Sequence, residues 1–193
     1  MNYESPERGS FMIPFFMSEI IIRPATLEDR KFIRSVSERT WPSTYGHIIS
    51  QEQIDFMLIW MYSDASLAEQ FAKGHQFYIA KLNGDEIGFC SVSAEIGDAE
   101  NEKSAPGHSL KQHKLNKLYV LPSAHGTGSG KALLNKAIEV AKSEGSASLF
   151  LQVNKLNKAY IFYLKNGFEK EEEFKFDIGN GFYMDDYVMR LTF

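Results

Sequence analysis

The feature that most constrains this chain is a strand, three alternating glycines and a helix in direct succession, YVLPSAHGTGSGKALL, residues 119–134. Its first letters are typical of the end of a strand, and the run after the last glycine has helical spacing. Gly126, Gly128 and Gly130 occupy the junction. The first amides of a helix have no partners inside the helix, and glycine has no Cβ to hold a ligand away. The junction therefore predicts either a phosphate-binding loop or a tight turn without a ligand.

The rest of the chain predicts a mixed sheet with helices on both faces. Along residues 18–193 the order is one strand, two or three helices, three strands, a helix, a strand, a helix and two strands. The strand–helix–strand unit around the glycines requires parallel neighbours and a right-handed crossover. The hairpin turns at Asn83-Gly84 and at residues 179–181 require antiparallel ones. We therefore expect an α/β (α+β mixed) fold with six to seven strands, mostly antiparallel, in a single domain.

Local signals predict where the first helices begin and end. Thr26 and Ser50 are expected to cap the first and second helices, because their hydroxyls can accept hydrogen bonds from first-turn amides. The segment WPSTYG, residues 41–46, is expected to end the first helix, since it contains a proline. FMIPFFM is too short for a signal peptide, contains proline and has no basic leader. Because Met17 is a natural beginning for the first strand, residues 1–17 are expected to be a flexible extension, with an upstream start codon and a small hydrophobic docking tag as the alternatives.

Composition argues against several classes of partner. The 193 residues have a formal net charge of -4, without the clustered basic face that nucleic acid or an anionic membrane would require. No apolar run approaches the roughly 20 residues of a membrane helix. No cysteines and histidines have the spacing of a metal site, so we predict no metal. The one cysteine, Cys90, is expected to be a buried hydrophobe rather than a nucleophile, in a protein of the reducing cytoplasm.

Two common phosphate-binding motifs do not fit the glycines. A Walker loop requires glycine in place of His125 and Ser or Thr in place of Ala132. A Rossmann fingerprint has the spacing G-x-G-x-x-G near the beginning of a mainly parallel fold, whereas the spacing here is G-x-G-x-G, late in the chain. The stretch instead resembles motif A of the GNAT superfamily of acyl-CoA-dependent N-acyltransferases, written [QR]-x-x-G-x-[GA]. Gly128 and Gly130 match its two small positions, and His125 replaces the usual Gln or Arg.

A second match follows at the distance usual in that family. LQVNKLNKAYIFYLKNGF resembles motif B, in which a buried strand leads to an Asn, then to A-x-x-x-Y and a Gly-Phe pair. Ala159 and Tyr163 match the A-x-x-x-Y segment. Asn157 stands two residues before Ala159, where the family commonly has three, so Asn154 is a rival for the cofactor-contacting Asn. The resemblance covers about residues 18–193.

The resemblance implies an N-acetyltransferase that uses acetyl-CoA as co-substrate. It implies that the pyrophosphate binds the glycine loop, and that the pantetheine arm pairs with the preceding strand, from which the strand ending at Val153 splays. Tyr163 would be the general acid that protonates the CoA thiolate; the other interpretation is a core aromatic. The residues that the resemblance assigns to the cofactor are Leu118, Tyr119, Val120, His125, Gly126, Thr127, Gly128, Ser129, Gly130, Lys131, Asn154 and Asn157.

Fewer signals define the general base and the acceptor site. The strand before the glycine loop has no acid at its beginning, where several family members have a glutamate. Glu95, His113 and a chain of water molecules therefore stay open as the base. Trp41 and Tyr45, between the first two helices, are expected to bind the acceptor amine. In MDDYVM we expect one carboxylate, taken as Asp185, to face the same cleft.

The nature of the acceptor stays open. The segment FDIGNGFYMDDYVMRL resembles the tail of bacterial spermidine/spermine acetyltransferase-like members, which implies a small amine or polyamine. A protein N terminus, a lysine side chain and an aminoglycoside are the other acceptors considered, and a homodimer is the assembly considered. A hypothesis from another class is a GNAT-fold sensor or interaction module that binds acyl-CoA without transferring the acyl group.

Overall fold

The computed structural model describes residues 19–96 and 111–193. The predicted N-terminal extension and the polar stretch 97–110 lie outside these ranges. The strands of the described ranges are β1 (Ile20–Pro24), β2 (Gln76–Leu82), β3 (Asp85–Ile96), β4 (Lys111–Val120), β5 (Ser148–Asn154), β6 (Glu169–Gly179) and β7 (Phe182–Thr192). The α-helices there are α1 (Arg30–Tyr45), α2 (Gln51–Tyr62), α3 (Asp64–Ala72), α4 (Ser129–Ser143) and α5 (Ala159–Lys165).

The strands form one seven-stranded sheet in the order β1-β2-β3-β4-β5-β7-β6. Every neighbouring pair is antiparallel except β4 and β5. Consecutive residues of β2 belong to two separate cores: Ile79 packs with the helices α1 to α3, and Ala80 packs with α4. Because side chains alternate between the faces of a strand, the two helix layers cover opposite faces of the sheet. The predicted mixed, mostly antiparallel sheet with helices on both faces is confirmed.

Turn chemistry accounts for both tight hairpins. Asn83 and Gly84 have φ angles of 52° and 95°, and Asn180 and Gly181 have φ angles of 54° and 77°. Two-residue hairpin loops of type I′ require positive φ at both central positions, which Asn and Gly adopt most readily. Strand pairing on either side of each turn follows from these four residues.

The first helix extends further than the sequence indicates. Thr26 caps a single 3-10 turn, and α1 then continues through Pro42 to Tyr45, so the helix ends within WPSTYG, but at the end of that segment and not at its proline. Tertiary packing explains the difference. Trp41 is 3% exposed, and its ring lies 4.6 Å from that of Tyr45 and 5.9 Å from that of Tyr62. Burial of these aromatic rings outweighs the hydrogen bond that the proline removes.

A β-bulge in β4 lies beside the point at which the sheet opens. Lys117 pairs with Ser91 of β3, and Leu115 pairs with Val92, so Asn116 is the extra residue of a β-bulge. Beside the bulge, β4 pairs with β5 only from Gln112–Ser148 to Leu115–Leu151. Both strands continue beyond that point without pairing to each other. The predicted splay between these strands is therefore present.

Gly88 provides a test of how closely β3 approaches the C-terminal end of β4. A Cβ atom at Gly88 would lie 2.5 Å from the Tyr119 carbonyl oxygen and 3.0 Å from the Val120 Cα. We expect Gly88→Ala to lower the free energy of unfolding by about 1–3 kcal/mol, because backbone atoms cannot move aside without displacing β4. Ser91→Ala on the same strand is the control, since the Ser91 hydroxyl is buried without a hydrogen-bond partner in the described part. Denaturant titration measures both variants, and equal stability of Gly88→Ala and wild type would contradict the close approach.

Candidate active site

The separation of β4 from β5 opens a cavity of about 700 Å³. Its walls come from β4, β5, the loop and first turn of α4, the α5 region and the C-terminal part of α1. Of the predicted cofactor residues, ten line it: Leu118, Tyr119, Val120, His125, Gly126, Gly128, Ser129, Gly130, Lys131 and Asn157. Most of the predicted cofactor site therefore lies around one opening in the sheet.

The glycine loop presents backbone rather than side chains to this cavity. Gly126 and Gly128 have φ angles of 78° and 90°, and Gly128 is the N-cap of α4. The first backbone hydrogen bond of α4 runs from the Ala132 amide to the Gly128 carbonyl, 3.0 Å away. The three amides of residues 129–131 precede that bond and have no partner within the helix. With the positive end of the helix dipole, they form a place for an anionic group.

Two loop side chains stabilise the loop itself. The His125 ring Nε2 lies 3.0 Å from the Val120 carbonyl oxygen. The Thr127 hydroxyl donates to the Ala124 carbonyl at 2.8 Å and lies 2.7 Å from the Ser129 hydroxyl. Thr127, unlike its neighbours, does not line the cavity. The Thr127 side chain therefore holds the turn, and the predicted cofactor contact of this residue would come from its backbone.

Tyr163 lies in the wall of the cavity beside Phe162 and is 8% exposed. Its ring packs 5.6 Å from the ring of Phe168, so the residue also belongs to the core. Burial raises the pKa of the Tyr163 phenol well above its ordinary value. The hydroxyl therefore keeps its proton at neutral pH, as a proton donor must.

The two asparagines differ in position. Asn157 lines the large cavity, and its Oδ1 accepts a hydrogen bond from the Ala159 amide at the beginning of α5. Asn154 Oδ1 accepts from the Leu156 amide, and Asn154 lines a different, smaller cavity. Geometry thus favours Asn157 over Asn154 as the residue beside the cofactor.

The smaller cavity, of about 170 Å³, adjoins the large one on the side of α1 and α2. Trp41 and Tyr45, both predicted to bind the acceptor, line it. Tyr45 and Tyr119 line both cavities, and their hydroxyl oxygens are 3.4 Å apart. Tyr45 and Tyr119 thus form part of a wall common to the two cavities.

Asp186, not Asp185, is the carboxylate of the smaller cavity. Asp185 is half-exposed and pairs with the Lys155 ammonium at 2.7 Å. Asp186, the next residue of β7, is 4% exposed and lines the cavity. Burial, assisted by the charge of Asp185, raises the pKa of Asp186 to about 6. The pairing of β7 with β5, which sets Asp186 opposite Asn154, decides which of the two carboxylates faces inward.

The two predicted general bases lie outside the cavities. Glu95 accepts a hydrogen bond from the Ser93 hydroxyl at 3.1 Å and lines neither cavity. His113 is fully buried at the paired end of β4, with Nδ1 2.7 Å from the Ser146 hydroxyl and Nε2 3.3 Å from Glu144. These contacts attach the end of α4 to the sheet, and burial lowers the pKa of His113. Neither side chain is placed to accept the proton of an amine bound in the slot.

Lys117 was missed from the sequence, and of the two neighbouring carboxylates in MDDYVM the prediction took Asp185 instead of Asp186. Lys117 is 6% exposed and lines both cavities. Burial, with the charge of Lys114, lowers the pKa of Lys117 to about 8. The available signal was a lysine between apolar residues in KLNKLYV, but the direction of its side chain depends on the bulge.

Cys90 is buried as predicted: its thiol lies 3.5 Å from the Leu133 carbonyl oxygen, and burial raises its pKa to about 12.

Comparison with known proteins assigns the family. The sequence model of the acetyltransferase (GNAT) domain matches residues 73–170, half of the chain. The chain belongs to the GNAT acetyltransferase family. The predicted family, fold and enzyme class, an acyltransferase, are thereby confirmed.

Relatives and solved structures support the same assignment. An uncharacterised N-acetyltransferase of Mycobacterium bovis is 28% identical over 84% of this chain and 97% of its own length. The spermidine N(1)-acetyltransferase of Thermoplasma acidophilum is 28% identical over 79% of this chain and 90% of its own. The crystal structure of the PaiA N-acetyltransferase of Thermoplasma acidophilum in complex with coenzyme A has a TM-score of 0.70. It is 25% identical, and the match covers 91% of this chain and 99% of that one.

Two features are absent from residues 19–96 and 111–193. No helix there is both long and apolar enough to cross a membrane. No group of three or more His, Cys, Asp or Glu side chains in that part is arranged to hold a metal ion.

Gly128 and Gly130 form a matched pair for testing the loop. Gly128→Ala should lower the free energy of unfolding by about 1–2 kcal/mol, because an L residue is strained at its φ of 90°. Gly130→Ala should raise it by about 0.5–1 kcal/mol, since alanine favours the helix. A Cβ at Gly130 would meet its nearest atom, Val120 Cγ2, only at 3.9 Å. Denaturant titration of both variants measures the difference, and equal stabilities would contradict the left-handed conformation of Gly128.

Proposed function

We propose that this protein transfers the acetyl group of acetyl-CoA to a primary amine of a small molecule or peptide, in one catalytic domain spanning residues 18–193. The observation that carries the proposal is the slot between β4 and β5, with the amides of α4 at one end and Tyr163 in its wall. A smaller cavity containing a carboxylate adjoins it. The geometry thus offers neighbouring places for an acyl donor and an amine.

The residues around the slot fit coenzyme A. Left-handed glycines keep Cβ atoms out of the loop, and the first amides of α4 suit a pyrophosphate. The edge of β4 at Leu118–Val120, left without a partner on the β5 side, suits the amide groups of a pantetheine arm. Bound acetyl-CoA would supply the activated acetyl thioester. The coenzyme A complex of the Thermoplasma acidophilum structure supports this reading of the slot.

Asp186 and Tyr163 would move the two protons of the reaction. Asp186 is ionised above a pH of about 6 and accepts the proton that the amine must lose before or during attack. As the carbon–nitrogen bond forms and the carbon–sulfur bond breaks, the Tyr163 phenol donates its proton to the leaving sulfur. Holding both reactants in adjoining cavities supplies the remaining advantage, because it replaces a bimolecular encounter by an aligned one.

The relatives suggest two kinds of acceptor, a polyamine and the N terminus of a protein. One is named a spermidine N(1)-acetyltransferase, and another, from Haemophilus influenzae, a [ribosomal protein bS18]-alanine N-acetyltransferase. The alternative of a sensor without transfer predicts coenzyme A binding without amine-dependent thiol release. A cytoplasmic location and a homodimer stay predictions.

Tyr163→Phe tests the general acid. We expect kcat for amine-dependent thiol release from acetyl-CoA to fall about 10²-fold or more, because the leaving thiolate loses its proton donor. The Tm increase produced by coenzyme A should stay unchanged. Tyr160→Phe is the control, since Tyr160 lies on the same helix, packs on Tyr187 and lines neither cavity. Full turnover of Tyr163→Phe at every pH would rule out this role.

Asp186→Asn tests the general base through pH. Wild-type kcat/KM should fall as pH drops below about 6, where Asp186 takes up a proton. The variant should be slower by about 10²-fold or more above pH 6 and should lose this acidic limb. It should remain folded, because the raised pKa of Asp186 means that ionisation costs stability as pH rises through 6. Asp185→Asn breaks the half-exposed pair with Lys155 and removes a charge that helps to raise the pKa of Asp186, so it should keep the rate above pH 6 and an acidic limb that moves to lower pH. An acidic limb that survives in Asp186→Asn would exclude Asp186.

A further inference from the structure

Two lysines of β4 project into the acceptor side of the slot. Lys117 lines the large and small cavities and also a third, of about 610 Å³, between α2, α3 and the β6–β7 hairpin. Lys114 lines the small and the third cavity. Two ammonium groups therefore border the space in which an acceptor would lie.

Neither ammonium forms a direct ion pair within the described ranges, although the charges of Glu95 and Asp186 act on Lys114 from a greater distance. Lys117 Nζ donates to the Gln70 side-chain oxygen at 2.6 Å, and Lys114 Nζ donates to the Gln152 side-chain oxygen at 2.8 Å. Both acceptors are neutral amides, and no carboxylate oxygen of residues 19–96 or 111–193 lies within 4.0 Å of either nitrogen. By contrast, the more exposed Lys155 contacts both Glu173 and Asp185.

A buried ammonium without a counter-charge is costly. Desolvation disfavours the charged form, and the lowered pKa of Lys117, about 8, reflects this burial. The rings of Tyr62 and Phe77, 5.6 and 5.9 Å from the Lys117 ammonium, offset a part of the cost. An apolar residue of similar size would serve the core better. The position therefore points to a ligand that brings the missing negative charge.

Acidic groups are few along the same walls. Among the described residues that line the three cavities, the acids are Asp186 and Glu69. Glu69 already pairs with Lys73 at 2.6 Å. A polyamine would bring a second and third positive charge toward Lys114 and Lys117, where Asp186 is the one described lining acid not already paired with a lysine and Glu95 acts only from outside the cavities. The charge pattern fits an acceptor with one amine and one anionic group.

We propose that the acceptor is an amino acid or a similar amine that carries a carboxylate, with its carboxylate bound by Lys117 and Lys114 and its amine facing Asp186. This rests on the proposed function. The size of the small cavity also favours a small acceptor: its volume of about 170 Å³ lies below the roughly 300–1,000 Å³ usual for drug-sized ligands. Met57, Met61 and Met184 line it, together with aromatic rings. An apolar side chain on the amino acid matches this surface.

The test compares acceptors that differ only in the carboxylate. Methionine and phenylalanine are paired with methioninamide and phenylalaninamide, and spermidine is added as a cationic acceptor. For each, kcat/KM is measured by thiol release from acetyl-CoA in wild type, Lys117→Met, Lys114→Met and the control Lys31→Gln, whose residue is exposed on α1. The acid and the amide differ in amine basicity, but this difference cancels when their ratio in wild type is divided by their ratio in a variant.

We expect wild type to prefer the acids, and the acid-to-amide ratio to fall about 10- to 100-fold in Lys117→Met, the range that charged hydrogen bonds produce. Lys114→Met should lower it in the same direction, and Lys31→Gln should leave it unchanged. The Tm of Lys117→Met at pH 7 should equal or exceed that of wild type, because a buried charge has been removed. Should Lys117→Met nevertheless fail to fold, the ratio in Lys114→Met decides.

Three results would overturn the inference. One is turnover of spermidine in preference to both amino acids in wild type. Another is an equal fall of kcat/KM for acid and amide in the lysine variants, which would mean that the lysines act on the reaction or the fold rather than on the carboxylate. The last is absence of thiol release with every acceptor, which would overturn the proposed function as well, whereas the first two leave it intact.

Discussion

β4 and β5 exchange hydrogen bonds over four residue pairs and then separate, although each strand continues. Backbone groups inside a sheet are ordinarily paired, so the separation leaves donors and acceptors that a ligand can satisfy. Each strand is held on its other side, β4 by β3 and β5 by β7 along its full length. The opening is therefore framed by two paired strands and does not depend on a mobile loop.

Two buried ionisable residues beside this opening lower the stability of the fold. Lys117 and Asp186 both have pKa values displaced toward their neutral forms by burial. Neutral side chains would pack more favourably at these two positions. Ionisable residues at positions where they destabilise the fold indicate a functional site. Their cavity lies on the side of α1 and α2, whereas the amides of α4 face the donor slot. The two residues that destabilise the fold are thus the residues that we propose take part in the reaction or bind its acceptor.

The donor side of the site was predictable because it depends on local backbone. Left-handed glycines at the beginning of α4 and a tyrosine one turn into α5 are read directly from short motifs. The acceptor side depends on register between distant strands. Pairing of β7 with β5 turns Asp186 inward, and the bulge at Asn116 turns Lys117 toward the aromatic core, so neither direction follows from neighbouring letters. Persistence of α1 through Pro42 likewise depends on aromatic packing from other helices.

Beyond its bulge, β4 directs chemically different side chains to the two faces of the sheet. Leu118 and Val120 pack on the side of α4, whereas Lys117 and Tyr119 lie against the aromatic core of α1 to α3. Because side chains alternate, gain or loss of one residue here would exchange the two sets. Substitutions on one face of this strand can therefore change the lining on that side and leave the other side in place, whereas insertion or deletion of a single residue would alter both sides at once.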